Sequence, residues 1–220
     1  MIITCWSPKS GSGTSVTAVA MAAISARMGK PTVLIDLGGD AAAILGLPTP
    51  ALGLGDVIEA HSSHTLRDVM VRAGEGLHLI ASGFTDLPSP YSNRWGRIDQ
   101  ILGEIASEHL VLIDAGEFGL PEWLDSISDS TVVVIRPCYI ALRRAAEHNR
   151  SDHLADAAIV VTERDRALTA RDVSLVLGIP VVAEVPVHPD VSRRVDSGLL
   201  NSRVPDHLID SLGPFVRGLI

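Results

Sequence analysis

Apolar and polar positions along the chain follow two alternating patterns. Short runs that are apolar at almost every position alternate with longer segments whose apolar residues recur every three or four positions. Runs of the first kind are typical of strands covered on both faces, and the second spacing is typical of helices. The runs predict strands at Ile2–Trp6, Thr32–Asp36, Leu77–Ala81, Leu110–Asp114, Thr131–Ile135, Ala157–Thr162 and Val181–Val185. The spaced segments predict helices at Val16–Arg27, Arg97–Ser107, Leu142–Asn149 and Ala170–Val176.

This alternation of strands and helices predicts the fold class. Parallel strands need a crossover connection between them, and a helix is the usual one. The sequence therefore predicts an α/β protein with a doubly wound, mostly parallel sheet and helices on both faces. The chain has 220 residues, 46% of them hydrophobic, which is enough for one such domain with a buried core. We expect residues 1–220 to form a single domain.

Three loops that directly follow predicted strands carry glycines or carboxylates. They are Ser7–Ser15, which reads SPKSGSGTS, then Asp36–Asp40, and Asp114–Glu117. Ligands of doubly wound sheets bind outside the carboxyl ends of the strands. The three loops are therefore expected to meet at one ligand site.

The loop Ser7–Ser15 has the features of a phosphate-binding loop. It joins an apolar strand to a helix, where closely spaced backbone N–H groups bind anions. Gly11 and Gly13 allow the backbone to approach a phosphate closely. However, the pattern G-x-x-x-x-G-K-[ST] has Thr14 where lysine is expected. Three interpretations stay open: a nucleotide site, an impaired nucleotide site, or a turn in which Thr14 or Ser15 caps the helix.

Charge and composition narrow the classes of partner and location. The formal net charge of -8 and the pI of about 5.4 argue against a broad surface for nucleic acid or anionic membrane. Cys5 and Cys138 lack the spacing of metal ligands, and buried free thiols fit a reducing cytoplasm. The sequence has no signal-peptide pattern and no apolar run of the ~18 residues that a membrane span needs. We expect a cytoplasmic protein without an integral membrane segment.

Several segments of the chain match motifs of one known family. Lys9–Ser15 follows the pattern K-G-G-x-G-K-[ST], except for Ser10 and Thr14, which replace the first glycine and the second lysine. Val111–Ala115 is similar to a Walker B strand, and Gly178–Pro186 is similar to a late strand that reads L-G-[IV]-P-V. The chain thus resembles the ParA/MinD family of P-loop ATPases with a deviant Walker A loop. Within that family, the replacement of the loop lysine by Thr14 resembles the CpaE/TadZ-like branch. Proteins of this branch position pilus-assembly machinery, and it includes septum-site relatives.

The resemblance implies ATP or ADP and Mg²⁺ as cofactors, and a homodimer as the active form. Lys9 matches the signature lysine, which reaches the phosphates of the partner subunit across an ATP-bound dimer. The resemblance assigns cofactor binding to Lys9, Ser10, Gly11, Ser12, Gly13, Thr14, Ser15 and Thr162. It assigns metal binding to Ser15, Asp36 and Asp114, and makes Lys9 and the two aspartates the candidate catalytic residues.

Departures from the family pattern predict weak ATP hydrolysis or none. Thr14 lacks the ammonium group, and Gly38 stands where the family usually has a second aspartate, the nearest acid being Asp40. Phosphoryl transfer depends on cations positioned around the phosphates, so both changes weaken this machinery. Thr162 and Glu163 stand where family members often have an adenine-binding asparagine, which leaves the base specificity open.

Three functions fit these observations. The favoured one is a switch: an ATP- and Mg²⁺-dependent dimer that recruits a pilus, secretion or septum component, and that a partner brings to a pole, a septum or the inner membrane. The second is a non-enzymatic scaffold that dimerises without nucleotide. The third is a DNA-partitioning ATPase, which would require salt-sensitive DNA binding.

Two further segments have a functional and a structural interpretation. His61 and His64 are spaced like metal ligands one helical turn apart, but a solvated loop is the favoured interpretation because no third ligand is in sight. The tail Leu208–Ile220 has an apolar stripe but few basic residues, so packing on the domain is favoured over a membrane-bound helix.

Overall fold

The computed structural model describes residues 1–59, 63–148 and 153–220 of the chain. The strands in this part are β1 Ile2–Trp6, β2 Thr32–Asp36, β3 Val71–Gly74, β4 Leu77–Ile80, β5 Leu110–Gly116, β6 Ser130–Ile135, β7 Ala157–Thr162 and β8 Val181–Pro186. They form one sheet in the order β3-β4-β2-β5-β1-β6-β7-β8. Within it, β3 pairs antiparallel with β4 at one edge, and the other neighbours pair parallel.

Helices cover both faces of the sheet. They are α1 Thr14–Arg27, α2 Ala41–Ile44, α3 Leu54–Ile58, α4 Ile98–Ala106, α5 Glu122–Ile127, α6 Tyr139–His148, α7 Ala170–Leu177, α8 Pro189–Asp196 and α9 Asp206–Leu219, with a 3-10 helix at Asn93–Arg97. Residues of α1, α2, α8 and α9 pack on one face, and residues of α3 to α7 pack on the other. Alternate side chains of the strands enter these two cores, which is why the strands are apolar at nearly every position. The predicted doubly wound α/β fold is confirmed.

Helix α1 is buried on almost all sides between the sheet and α9. Its side chains from Ala18 to Ala23 have no exposed surface. Most of these residues are alanines, and small side chains let a helix lie close to its neighbours. The N-terminus of α1, which directly follows the glycine loop, is therefore held in a fixed position at the carboxyl ends of the strands.

The seven predicted strands are all present, with ends displaced by at most two residues. The antiparallel strand β3 was not predicted, because Val71–Gly74 has only four residues, is half-buried and contains Arg72. Four predicted helices correspond to α1, α4, α6 and α7, although α6 begins three residues earlier at Tyr139 and the predicted end at Asn149 lies outside the described residues. The short helices α2, α3 and α5 have four to six residues, too few to show a helical period.

The C-terminal tail forms α9 and packs on α1 and β8. Leu208, Leu212 and Val216, spaced four residues apart, are buried in the core on that face. Pro214 lies inside the helix without ending it. The prediction that the tail packs on the domain is confirmed. Among residues 1–59, 63–148 and 153–220, no helix combines the length and the apolar character that a bilayer span requires.

Strand order brings the three predicted loops together. Strand β1 lies between β5 and β6, and β2 is the other neighbour of β5. In register, Asp114 of β5 lies opposite Cys5 on one side and Asp36 on the other. The loops that follow β1, β2 and β5 therefore lie side by side at the carboxyl ends of these strands, as the sequence predicted.

Candidate functional site

The glycine loop after β1 is folded back on itself by its own hydroxyl groups. The Lys9 carbonyl oxygen accepts hydrogen bonds from Ser7 Oγ at 2.8 Å and from Ser12 Oγ at 2.7 Å. Gly11 and Gly13 have φ values of 73° and 88°, in the left-handed region that favours glycine. The loop is thus a tight, internally bonded turn, and both glycines are required by its backbone conformation.

Helix α1 begins without a side-chain cap. Its N-cap residue is Gly13, which has no side chain to accept the first N–H groups, and Thr17 N donates to Gly13 O at 2.9 Å. The interpretation that Thr14 or Ser15 caps this helix is wrong, because both residues lie inside the helix. The first N–H groups of a helix have no intrahelical acceptor. This helix therefore presents its uncapped N-terminal donors next to the glycine loop, where an anion would be favoured.

A cavity of about 470 Å³ lies over this helix N-terminus. It is lined by residues from the loops after β1, β2 and β5, together with residues of α1, α2 and α8. The lining residues are Ser7, Lys9, Ser10, Gly11, Ser12, Gly13, Thr14, Ser15, Val16, Gly38, Asp40, Ala43, Ile44, Gly116, Glu117 and Val195. All seven residues predicted from Lys9 to Ser15 therefore face one cavity, which we call the cradle.

Lys9 and Thr14 stand at the two loop positions where the family pattern has a lysine. Lys9 is half-buried, and its Nζ donates to the carbonyl oxygen of Ser10 at 3.1 Å. Thr14 is buried, with 6% of its surface exposed, and lines the cradle. The charge on the loop is therefore at the rim and not at the first turn of the helix.

Asp36 is fully buried at the end of β2 and bonds to backbone on both of its oxygens. Oδ1 accepts from Gly39 N at 2.7 Å, and Oδ2 accepts from Ala41 N at 2.9 Å. Burial raises the pKa of Asp36, and these N–H groups oppose the rise. The carboxylate therefore fixes the loop between β2 and α2, and the backbone occupies one acceptor position on each oxygen.

Asp114 is fully buried at the carboxyl end of β5 and is bonded on one side only. Its Oδ1 accepts from Gly116 N at 3.0 Å. Its Oδ2 is buried and has no partner at hydrogen-bond geometry among the described residues. Burial raises the pKa of Asp114 to about 7, the nearby Ser15 hydroxyl opposes this, and the charge of Asp36 adds to it. An unpaired buried carboxylate oxygen is costly unless a ligand satisfies it.

Gly38 leaves a gap between the oxygens of this cluster. A Cβ at this position would lie 3.5 Å from Asp114 Oδ2 and 3.6 Å from both Asp36 Oδ1 and Ser15 Oγ. Asp40, two residues further on, is exposed and lines the cradle, and its charge raises the pKa of both buried aspartates. The predicted metal residues Ser15, Asp36 and Asp114 are therefore brought together around the backbone of Gly38.

This oxygen cluster fits a magnesium ion. Mg²⁺ prefers oxygen ligands and is usually held by one or two carboxylates together with phosphate oxygens and water. The unpaired Oδ2 of Asp114 and the hydroxyl group of Ser15 provide such oxygens beside the cradle. Among the described residues, no group of three or more histidine, cysteine, aspartate or glutamate side chains forms a metal cage. The candidate pair at His61 and His64 is not described as a pair, since His61 lies outside the described residues.

Thr162 ends β7 and is half-buried, and its carbonyl oxygen accepts from Val187 N at 2.8 Å. A second cavity of about 290 Å³ lies beside it and adjoins the glycine loop. This cavity is mostly apolar and is lined by Gly11, Ser12, Gly13, Val16, Thr17, Arg136, Val161, Val185, Pro186, Val187, His188, Val191, Ser192 and Leu208. Thr162 itself is not among the lining residues, although its neighbour Val161 is.

Asp40, Gly116 and Glu117 line the cradle and belong to loops that were predicted to meet there, although the sequence assigned them no role of their own. Arg136 and His188, which line the second cavity, were not predicted from the sequence. Arg136 directly follows a predicted strand, but a single arginine there carries no recognised motif.

Comparison with solved structures identifies the fold type. The chain is similar to the septum site-determining protein MinD complexed with Mg-ADP from Pyrococcus horikoshii OT3, with a TM-score of 0.79 and 16% identity over 99% of this chain and 95% of that chain. It is similar to the MinC:MinD cell division protein complex of Aquifex aeolicus, with a TM-score of 0.77 and 21% identity over 99% and 94%. It is also similar to a ParA family ATPase from Chlorobium tepidum TLS, with a TM-score of 0.77 and 19% identity over 98% of each chain. The chain therefore has a MinD- and ParA-like fold. No protein-family model and no curated protein matches the sequence.

Proposed function

We propose, from the MinD- and ParA-like fold and the geometry of the cradle, that the protein binds ATP together with Mg²⁺ and acts as a dimerising switch. One observation carries the proposal. Asp114 Oδ2 is buried without a partner among the described residues, beside Ser15 and the uncapped N-terminus of α1. A metal-bound phosphate would satisfy the carboxylate and the helix donors at the same time.

Each predicted site residue has a role in this proposal. Backbone N–H groups from Gly11 to Ser15 bind the phosphates, and Ser15 and Asp114 hold Mg²⁺. Asp36 keeps the loop after β2 in place through Gly39 N and Ala41 N, and orders the water around the metal from its remaining lone pairs. ADP would occupy the same cradle. The similar MinD of P. horikoshii, which is complexed with Mg-ADP, supports this choice of cofactor.

The apolar cavity beside β7 and β8 is the proposed place of the base. It adjoins the glycine loop, and apolar side chains such as those of Val161 and Val187 suit contact with an aromatic ring. Thr162 follows Val161 in β7 but does not line this cavity, so its assignment to the base rests on the resemblance alone.

Titration with a fluorescent ATP analogue tests nucleotide binding. We expect saturable binding with Mg²⁺ and much weaker binding in EDTA. Without the metal, the carboxylate of Asp114 would repel the phosphates that Mg²⁺ otherwise holds beside it. A Gly13→Val variant is the matched negative, since a β-branched residue strains the backbone at a φ of 88°. Absence of saturable binding to wild type at millimolar Mg-ATP would refute the proposal.

Dimerisation by ATP is the second part of the proposal. Lys9 lines the cradle, and its Nζ donates to Ser10 O of its own loop. The resemblance assigns this lysine to the phosphates of the second subunit, and we propose the same role here. In sedimentation velocity, we expect Mg-ATP to convert wild-type monomer to dimer and Lys9→Ala to stay monomeric. Lys30→Ala is the matched control. Lys30 is the only other lysine in the sequence, and it precedes β2 at the amino ends of the strands, whereas the cradle lies at their carboxyl ends.

The dimer is proposed to recruit a protein partner in a pilus, secretion or septum assembly, as in the CpaE/TadZ-like branch. Recruitment would bring an otherwise cytoplasmic protein to a pole, a septum or the inner membrane. The similar MinD of A. aeolicus, which is in a MinC:MinD complex, supports a protein partner. Weak or absent hydrolysis follows from Thr14 and Gly38, since both positions lack the charge that phosphoryl transfer needs.

A second candidate function is a scaffold that dimerises without nucleotide. Thr14 favours it, because a buried, uncharged residue stands where the family pattern has a lysine. The same sedimentation experiment separates the two functions, since a scaffold would form an equal amount of dimer with and without Mg-ATP. A DNA-partitioning ATPase is the least supported candidate, given the net charge of -8.

A further inference from the structure

A third cavity of about 260 Å³ adjoins the cradle and is lined by cations. Its lining residues are Lys9, Gly11, Ser12, Arg136, Cys138 and Arg166. It shares Lys9, Gly11 and Ser12 with the cradle, so the two cavities adjoin along this loop segment. Three positively charged side chains thus meet beside the glycine loop in a chain whose formal net charge is -8.

One carboxylate holds two of these cations. Arg136 follows β6, the neighbour of β1, and its Nη2 pairs with Glu163 Oε1. Arg166 pairs with the other oxygen, Oε2, through Nε and Nη2, each at 2.6 Å. Asp165 between them has a φ of 61°, and this left-handed residue turns the chain so that Arg166 returns to Glu163. Glu163 therefore fixes both guanidinium groups beside the cavity.

Arg136 keeps an unused donor after this pairing. Its Nε is buried and has no hydrogen-bond partner among the described residues. A buried donor without an acceptor is unfavourable, and one carboxylate balances only one of the three cations. The cluster formed by Lys9, Arg136 and Arg166, which we call the basic cluster, is therefore short of negative charge and of hydrogen-bond acceptors.

We propose that the two arginines of the basic cluster bind a phosphate group of the bound nucleotide, with Arg136 supplying the cation that Thr14 cannot. The inference rests on the proposed function and extends it to residues outside the glycine loop. Guanidinium groups form forked, charge-assisted hydrogen bonds that match phosphate oxygens. The nucleotide is the proposed source of the phosphate because the basic cluster shares Gly11 and Ser12 with the cradle.

Isothermal titration of Arg136→Ala with Mg-ATP, inorganic triphosphate and adenosine tests this assignment. We expect the variant to bind Mg-ATP and triphosphate roughly 10- to 100-fold more weakly than wild type, since it loses a charge-assisted contact. Affinity for adenosine, which has no phosphate, should not change. Arg171→Ala is the matched control, because Arg171 is an exposed arginine of α7 outside these cavities and should leave all three affinities unchanged.

Rescue separates a charge effect from a structural one. Thr14→Lys in the Arg136→Ala background should restore Mg-ATP affinity to at least the wild-type value, because its ammonium group supplies a positive charge to the phosphates in place of Arg136. Arg136→Lys, which keeps the charge but not the fork, should give an intermediate affinity. If Arg136→Ala fails to fold by circular dichroism, Arg136→Lys and Arg166→Ala give the same comparison.

The outcomes distinguish this inference from the proposed function. If wild type and Arg136→Ala bind Mg-ATP equally well, the basic cluster is not a phosphate site and the proposed function stands. If wild type binds triphosphate through Arg136 but binds no nucleotide, the cluster is a site for free polyphosphate, and both the nucleotide source and the proposed function are wrong. If wild type binds neither, both proposals fall.

Discussion

Asp114→Asn is expected to stabilise the ligand-free protein at pH 8 and to abolish the Mg²⁺ dependence of nucleotide binding. Burial raises the pKa of Asp114 to about 7, so the folded protein carries an unfavourable buried charge at pH 8. Asparagine has nearly the same shape and can still accept from Gly116 N, but it carries no charge. It cannot replace a carboxylate as a metal ligand. A gain in stability and a loss of metal-dependent binding are therefore expected from the same substitution.

The sign of the pH dependence follows from proton linkage. Between the unfolded pKa of 3.8 and the folded value of about 7, the folded state binds more protons at Asp114 than the unfolded state does. The free energy of unfolding of wild type therefore falls as the pH rises through this window. Asp114→Asn lacks this contribution, so its advantage should be on the order of 2–4 kcal/mol at pH 8 and should disappear near pH 4.

Urea unfolding of wild type and Asp114→Asn at pH 4 and pH 8 measures this difference. The exposed Asp86→Asn serves as the matched control and should show no such gain at pH 8. An equal stability difference at both pH values would contradict a buried, ionising Asp114. Nucleotide titrations with Mg²⁺ and with EDTA provide the second readout. If Mg²⁺ still increases the affinity of Asp114→Asn as much as that of wild type, Asp114 does not hold the metal.

Thr14→Lys is expected to increase the affinity for Mg-ATP roughly 10- to 100-fold. Thr14 lies in the first turn of α1 and lines the 470 Å³ cradle, so a longer side chain can extend into open space. Its ammonium group would enter the cradle, which Asp40 also lines. A positive charge beside the carboxylates favours their ionised form, so it should lower the pKa of Asp114 and add stability at neutral pH.

Thr14→Gln is the matched control for this prediction. It has a similar reach into the cradle but no charge, so it should bind Mg-ATP no more tightly than wild type. Titration of the three proteins with a fluorescent ATP analogue compares them directly. Equal affinities for Thr14→Lys and Thr14→Gln would mean that the phosphates do not lie over the first turn of α1.

Apolar periodicity was sufficient to predict the central strands and the loops that follow them. Strands such as Thr32–Asp36 and Ala157–Thr162 have the predicted ends, because a strand buried on both faces is apolar at nearly every position. The edge strand Val71–Gly74 lacks this constraint and carries Arg72, so the pattern did not detect it. Helix α8 was missed for a similar reason, since none of its residues is buried.

The site was predicted in outline and not in its bonding. The convergence of the glycine loop with Asp36 and Asp114 followed from their positions after strands, which is a property of parallel sheets. The two aspartates look equivalent in the sequence, yet they differ in the folded protein. Asp36 accepts from two backbone N–H groups, whereas Asp114 Oδ2 has no partner among the described residues. Hydrogen bonding of this kind depends on the path of the loop and carries no sequence signature.

The sequence by itself determined the doubly wound sheet, the glycine loop at the head of α1 and the presence of Thr14 in place of a lysine. Each of these depends on residues that are close together in the sequence: apolar runs, turn glycines and the spacing between a strand and the next helix. Only the tertiary structure decided which carboxylate oxygen lacks a partner among the described residues, and that Arg136 and Arg166 meet Lys9 beside the loop. These two arginines are more than 100 positions from Lys9 in the chain, and strand order alone brings them together.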